Sequence, residues 1–363
     1  MLSKITESGI RWLVESGVQR PGGGFAPWYD AETQDYPYVY SEITGYLTTL
    51  LCQWHARTGD PAALAAATAA GDWLVRTADE RTGAFRCLVP LRSTRFDVKQ
   101  DYVYAFDTGV IVNGLADLHR ATGDGRYLAT AVRAADWLVG AAQRPDGGFR
   151  PVWDARRDEF AAEADDWSWR PGGYHTKVAL GLANLAELTG VEAYRAAAVR
   201  ACDFACALQE PDGRIGHPDG THAHPHAYAA EGLWAAGVLL DRPAYREASR
   251  RAAEWLLSLQ GEGGAVPRFV RAGVPLFAER MDVQAQALRL ALIHGLPGRL
   301  DELTDLLVRH QATDGDPRVH GGWWFGRLSD GRTVPHANVW ATAFACQALE
   351  LRDGGVLDPR FLV

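Results

Sequence analysis

Apolar positions along the chain fall into two alternating kinds of helical pattern. In the first, apolar residues recur every three or four positions among Arg, Glu and Ala, as at Ile10, Leu13 and Val14. That spacing predicts a helix with one buried face. In the second, apolar and small residues run nearly all round, as in Gly109-Val110-Ile111-Val112 and Val178-Ala179-Leu180-Gly181-Leu182-Ala183. Helices of this kind are buried on every side.

Six copies of a marker accompany the first kind: Arg11-Trp12-Leu13, Asp72-Trp73-Leu74, Asp136-Trp137-Leu138, Asp203-Phe204, Glu254-Trp255-Leu256 and Asp305-Leu306-Leu307. Steps of about 50 to 67 residues separate them, room for two helices and two loops per copy. Most run on into a glutamine and a glycine turn, as in Gln143-Arg144-Pro145-Asp146-Gly147-Gly148-Phe149 and Gln209-Glu210-Pro211-Asp212-Gly213. The all-apolar patterns begin near Glu42, Asp107, His175, His226, Asp282 and Asn338, and three end in Thr-Gly, a helix stop. Six amphipathic helices alternating with six buried ones predict an all-α fold, an (α/α)6 toroid of six helical hairpins with inner and outer rings. It is expected to be a single domain over residues 1–363.

Composition narrows the function. A 47% hydrophobic chain with 13 Trp, 12 Tyr and 12 Phe excludes disorder. No apolar run approaches the ~20 residues of a membrane span, and Met1-Leu2-Ser3-Lys4 leads straight into a helix, so a cytoplasmic protein is expected. A net charge of −8 argues against a nucleic-acid partner. Cys52, Cys202, Cys206 and Cys346 sit in helical patterns and complete no zinc spacing, so free core thiols and neither metal nor cofactor are expected.

The repeat resembles the six-hairpin toroid enzymes of carbohydrate chemistry over almost the whole chain. It looks most like the helical domain of uronyl C5-epimerases and the unsaturated glucuronyl hydrolases, with the sugar 2-epimerases more distant. The Gln-x-x-Asp-Gly-Gly turns are also similar to those of terpene cyclases and protein prenyltransferases. Those families need an Asp-x-Asp-Asp motif or an Asp/Cys/His zinc set; Asp165-Asp166 lacks the spaced first aspartate.

In such a toroid the N-termini of the inner helices converge on one mouth. The segments arriving there carry Tyr40 and Glu42; Asp107; Trp167, Trp169, Arg170, His175 and Lys177; His224, His226, Tyr228 and Glu231; Arg280 and Asp282; His336, Asn338 and Trp340. Glu42, Asp107 and Asp282 fall in first turns, where a carboxylate can simply cap a helix. Glu231 lies one turn deeper and must be paired or functional if buried. Sugar chemistry commonly uses one carboxyl as acid and another as base or nucleophile, which singles out Asp107 first and Glu42 next. Lys177 is one of three lysines, with Lys4 and Lys99, in an arginine-rich chain; it reads either as a buried ion pair or as a proton-transfer group beside His175. Arg170 and Arg280 could fork onto a substrate carboxylate. The run His222-x-His224-x-His226 points to ligand hydrogen bonding from His224 or His226 rather than to a metal, and Gln284 and Gln286 cannot both face inward.

Tryptophan distribution supports a sugar site. Trp12, Trp73, Trp137 and Trp255 wedge between the rings, and Trp54 and Trp234 belong to the core. Trp28, Trp153, Trp167, Trp169, Trp323, Trp324 and Trp340 gather at the mouth as platforms for a multi-ring groove. The expectation is a carbohydrate or small-molecule substrate and glycoside hydrolysis by Asp107 and Glu42. The alternatives are a sugar epimerase or lyase using His175, Lys177 or tyrosines, a terpenoid or small-molecule cyclase, and a non-catalytic glycan-binding toroid.

Overall fold

Helix-stop and helix-start chemistry frames the fold. Gly59, Gly123 and Gly190 end three inner helices at φ of 74°, 74° and 70°, a left-handed conformation that glycine adopts without a Cβ clash. Asp60 and Asp124 then accept the backbone N–H of Ala62 and Arg126 at 2.9 Å, capping the next helix at once.

The computed structural model describes residues 2–216, 220–328 and 330–363. Its twelve α-helices, among the described residues, are α1 Leu2–Glu15, α2 Ser41–Thr58, α3 Pro61–Thr77, α4 Ala105–Thr122, α5 Gly125–Trp137, α6 Thr176–Thr189, α7 Glu192–Ala207, α8 Ala223–Leu239, α9 Pro243–Ser258, α10 Met281–His294, α11 Leu300–Arg309 and α12 Val339–Arg352. Even-numbered helices form the inner ring, each packed on the next, with α12 returning to α2. The odd-numbered helices from α3 to α11 each back the inner helix that precedes them, and α1 backs α12, closing the (α/α)6 toroid. Burial follows the two patterns. Ser41 through Trp54 of α2 are buried without a break, whereas α1 buries only Thr6, Gly9, Ile10, Trp12 and Leu13.

The repeated glutamine is a clamp between neighbouring outer helices. Gln19, Gln143 and Gln209 donate from Nε2 to Gly23, Gly147 and Gly213 of their own turns at 2.9, 3.2 and 3.0 Å. The same nitrogens donate to Ala66 of α3, Ala197 of α7 and Ala248 of α9 at 2.8 to 2.9 Å. Gln311 does the same with Gly321 and with Ile5 of α1. The marker aspartates serve the same joint. Asp72, Asp136 and Asp203 accept the hydroxyls of Tyr127, Tyr194 and Tyr245 on the next outer helix at 3.0, 2.6 and 2.6 Å. Both repeat motifs are therefore architectural.

The rings are helical as expected, but the long outer-to-inner connections carry short antiparallel strands. Tyr38–Tyr40 pairs with Leu88–Pro90, Tyr102–Tyr104 with Val152–Asp154, and Thr221–His222 with Phe269–Arg271. Trp28–Asp30 pairs with Thr333–Asn338, so the first and last loops are zipped together across the ring closure. Tyr-Val-Tyr appears before both α2 and α4, a β-favouring triplet that explains the departure from a purely helical chain. This collar surrounds the inner-helix N-termini. At the opposite end, Pro359–Phe361 with Leu362 and Val363 closes the barrel, where Asn113 Nδ2 donates to the Arg360 carbonyl at 2.8 Å.

All five cysteines are free, with Cys52, Cys87, Cys202 and Cys346 buried and Cys206 half-buried. No described helix is long and apolar enough to cross a membrane.

Candidate active site

The N-termini of α2, α4, α8, α10 and α12 open into a cavity of about 460 Å³, within the usual range of small-molecule sites. Nine of the residues singled out in the sequence line it: Tyr40, Glu42, Asp107, Trp167, His224, Tyr228, Arg280, Asp282 and Trp340.

Glu42 and Asp107 stand in the first turns of α2 and α4, 5% and 3% exposed. Neither caps its helix. Trp340 Nε1 donates to Glu42 Oε1 at 3.2 Å, while Asp107 Oδ2 is buried with no partner. Burial, opposed by hydrogen bonds from Trp340 and Tyr40 and by the Lys177 charge, pushes the Glu42 carboxyl up to about 7. Burial and then the nearby Glu42 charge push Asp107 well above the carboxylate range, against the opposing influence of Lys99 and Tyr40. Each carboxyl disfavours ionisation of the other, so the two titrate as an interacting pair.

Across the cavity, Arg280 grips Asp282 through Nε to Oδ1 at 3.1 Å and Nη2 to Oδ2 at 2.5 Å. Its Nη1 lies 3.2 Å from His224 Nδ1. A guanidinium only donates, so His224 Nδ1 accepts and the proton sits on Nε2. Burial followed by the Arg280 charge holds this imidazole well below its ordinary value, hence neutral. Its ring is set edge-on against Trp167 at 4.8 Å. Arg280 is thus committed to a protein carboxylate and does not stand free as a clamp.

Glu231 and Lys177 lie beneath the floor, outside the cavity. Glu231 is fully buried and takes two hydrogen bonds from Arg289 and one from Gln286 at 3.1 Å, with Lys177 Nζ 3.5 Å from its Oε2. Glu231 is therefore paired, one of the alternatives of the sequence reading, while Lys177 is a second cation beside a carboxylate that Arg289 already neutralises. Gln286 faces this interior, whereas Gln284 holds both the N–H and C=O of Val266 at 2.9 Å.

Several expected ligand contacts are engaged elsewhere. His226 donates from Nε2 to the Ala252 carbonyl of α9 at 2.9 Å and accepts from Ile215 N, so three successive alternate histidines do not converge. His175 lies behind Tyr174, its Nδ1 at Gly172, and burial drives it down to about 3. Asn338 caps α12 by accepting Ala341 N at 3.0 Å. His336 stacks on Trp28 at 4.6 Å, and Arg170 is held by Asp165 and the Ala164 carbonyl. Trp323 is fully buried with its indole N–H on Leu307 O, Trp324 packs against the core, and Trp169 stands edge-on to Tyr102. Most of the tryptophans expected to line a multi-ring groove are taken into the packing of the collar, and a second cavity of about 370 Å³, lined by Arg170, adjoins the first through Trp167, Tyr174 and His222. Trp167 and Trp340 alone of the seven reach the first cavity among the described residues; Tyr38, Phe96, Tyr104, Phe106, Tyr174 and Phe325 join Tyr40 and Tyr228 in its aromatic wall.

Lys99, Arg268 and His222 also line the cavity, and their roles were not anticipated. Lys99 lies over the Tyr104 ring at 5.8 Å. Arg268 is half-buried, and neither cation has a carboxylate within ion-pair distance among the described residues. Lysine rarity flagged Lys99 in principle; Arg268 lies just before a collar strand that the helical reading did not contain.

No protein-family model matches the chain, and no curated protein matches it. Solved structures do match in fold. A sugar epimerase from a ruminal bacterium aligns at TM-score 0.78 and 13% identity over 98% of this chain and 100% of its own. Cellobiose 2-epimerase from Spirochaeta thermophila DSM 6192 aligns at 0.76 and 18%, over 97% and 98%. The unsaturated glucuronyl hydrolase from Bacillus sp. GL1 aligns at 0.70 and 15%, over 96% of each chain. The (α/α)6 toroid fold is thereby shared with carbohydrate-active enzymes, and the 2-epimerases, set further away by the sequence, superpose at the higher scores.

Proposed function

We propose that the chain is a glycoside hydrolase acting on an oligosaccharide or glycoside, with Asp107 and Glu42 as its catalytic pair. The observation that carries this reading is two buried carboxyls, Glu42 and Asp107, on one aromatic-lined cavity, both pushed above the carboxylate range by burial. Such tuning suits one group to acid and the other to base or nucleophile work. Asp107, whose buried Oδ2 has no partner among the described residues, gives its proton to the glycosidic oxygen as the bond to the anomeric carbon breaks. Glu42, ionised, takes a proton from the attacking water or itself attacks that carbon. Where Glu42 takes the water's proton, that proton passes through solvent to Asp107; where Glu42 attacks, the Asp107 carboxylate takes a proton from water as that water displaces Glu42 from the anomeric carbon, and either route restores the pair. The tyrosine and phenylalanine walls suit the C–H faces of a sugar ring, and Lys99 with Arg268 favours an acidic sugar.

Sugar epimerisation is the second reading, favoured by the fold likeness to epimerases and by His222 and His224 in the cavity. Against it, the Arg280 hydrogen bond leaves His224 presenting an N–H rather than a basic nitrogen. Incubation with a panel of oligosaccharides in heavy water separates the two by NMR. New reducing ends without carbon-bound deuterium support hydrolysis; deuterium on a ring carbon without chain cleavage supports epimerisation.

A further inference from the structure

We propose that Lys177 is a positioning residue whose buried charge holds the Glu42–Asp107 pair at one shared proton. This rests on the pair being the acid/base centre proposed above.

Charges inside the inner ring carry the argument. Arg289 occupies Glu231 Oε1 through both Nε and Nη2, and Arg280 occupies both oxygens of Asp282. Deeper down, Asp117 has Arg120 at 3.5 Å. Those cations and carboxylates are matched, which leaves Lys177 over. Its Nζ is 3.5 Å from Glu231 Oε2, an oxygen that Gln286 already supplies, and it makes no hydrogen bond of good geometry. It rests instead over the rings of Tyr46 and Tyr228 at 5.4 and 5.8 Å. Its side chain is 1% exposed, so solvent does not screen it.

A surplus buried cation requires a counter-charge. From α2 it faces Tyr46 and Glu42; from α8, Tyr228 and Glu231; from α10, Arg289. Glu42 is the one of these not already neutralised, and α4 adds Asp107 beside it. One negative charge on the pair balances the interior; two would overfill it, and none would leave the ammonium alone. Burial lowers the Lys177 ammonium to about 8, so it remains charged at neutral pH. Lys99, half-exposed on the solvent side, also faces Asp107 but is screened.

The test is a pH titration of the protonated-carboxyl infrared bands, with 13C-glutamate and 13C-aspartate labelling, on the folded wild-type protein and four variants. Lys177→Met should raise the midpoint of the pair by about one pH unit or more, a tenfold change in proton affinity. Glu231→Gln, which adds to the positive surplus, should lower it. The double variant Lys177→Met/Glu231→Gln should return it towards wild type, and Lys177→Arg should leave it nearly in place. A purely structural role would shift both single variants in the same direction. That outcome, or a wild-type midpoint in either single variant, overturns the proposal, and Glu231→Gln alone decides it should Lys177→Met not fold. The titration needs no turnover, so absence of hydrolysis with the expected shifts would refute the glycosidase reading and leave this inference standing.

Discussion

Glu42→Gln should make the protein more stable at alkaline pH while disabling it. Glu42 is 5% exposed, and its carboxyl rises from an ordinary 4.5 to about 7. The folded state therefore binds this proton more tightly than the unfolded chain does. The stability so conferred is fully present below pH 4.5 and is lost as the pH rises through about 7. At about 1.4 kcal/mol for each pH unit, the loss amounts to about 3 kcal/mol by pH 8. Glutamine mimics the protonated acid and keeps an Oε1 to accept Trp340 Nε1, so it escapes that loss. Removing the Glu42 charge also eases ionisation of Asp107, which adds to the gain. Guanidinium unfolding at pH 5, 6, 7 and 8 should show the variant drawing ahead of wild type with rising pH, from near equality to about 3 kcal/mol. Parallel pH profiles, or a variant less stable than wild type at pH 8, would refute the reasoning.

Arg289→Met should destabilise the fold by about 1–3 kcal/mol, seen as a lowered thermal midpoint, because it removes two hydrogen bonds from the fully buried Glu231 and leaves Lys177 as its counter-charge. Gly147→Ala should cost several kcal/mol in the same assay: φ is 92°, and a Cβ would lie 2.3 Å from the Arg200 carbonyl. Gly140→Ala, whose Cβ meets nothing within 4 Å, should be neutral or slightly stabilising. Tyr194→Phe, which removes the 2.6 Å hydrogen bond to Asp136 between outer helices, should cost about 1–2 kcal/mol in urea unfolding.

Ring architecture was legible in the sequence because burial on one face or on all faces writes different hydrophobic patterns. The predicted inner-helix starts near Glu42, Asp107 and Asp282 lie within the first turns of α2, α4 and α10. That Glu42 and Asp107 would meet at one cavity was legible for the same reason: a carboxylate in the first turn of an all-buried helix stands at the barrel mouth. Side-chain direction was not. His226 and His224 are two residues apart on one helix, yet one holds α9 and the other lines the cavity. The loop tryptophans were misplaced because the collar strands, too short to show a clear period of two, send alternate residues to opposite faces. Arg268 escaped notice for the same reason, lying just before the strand Phe269–Arg271. Glu231 and Lys177 are buried, but which groups they meet depends on contacts between α6, α8 and α10 that no local pattern encodes.

The most direct test of the central claim is release of new reducing ends from a glycoside panel by wild type, Asp107→Asn and Glu42→Gln, each shown to be folded. The account predicts cleavage by wild type and a fall of at least about 100-fold in both variants. Undiminished cleavage by both variants would contradict it.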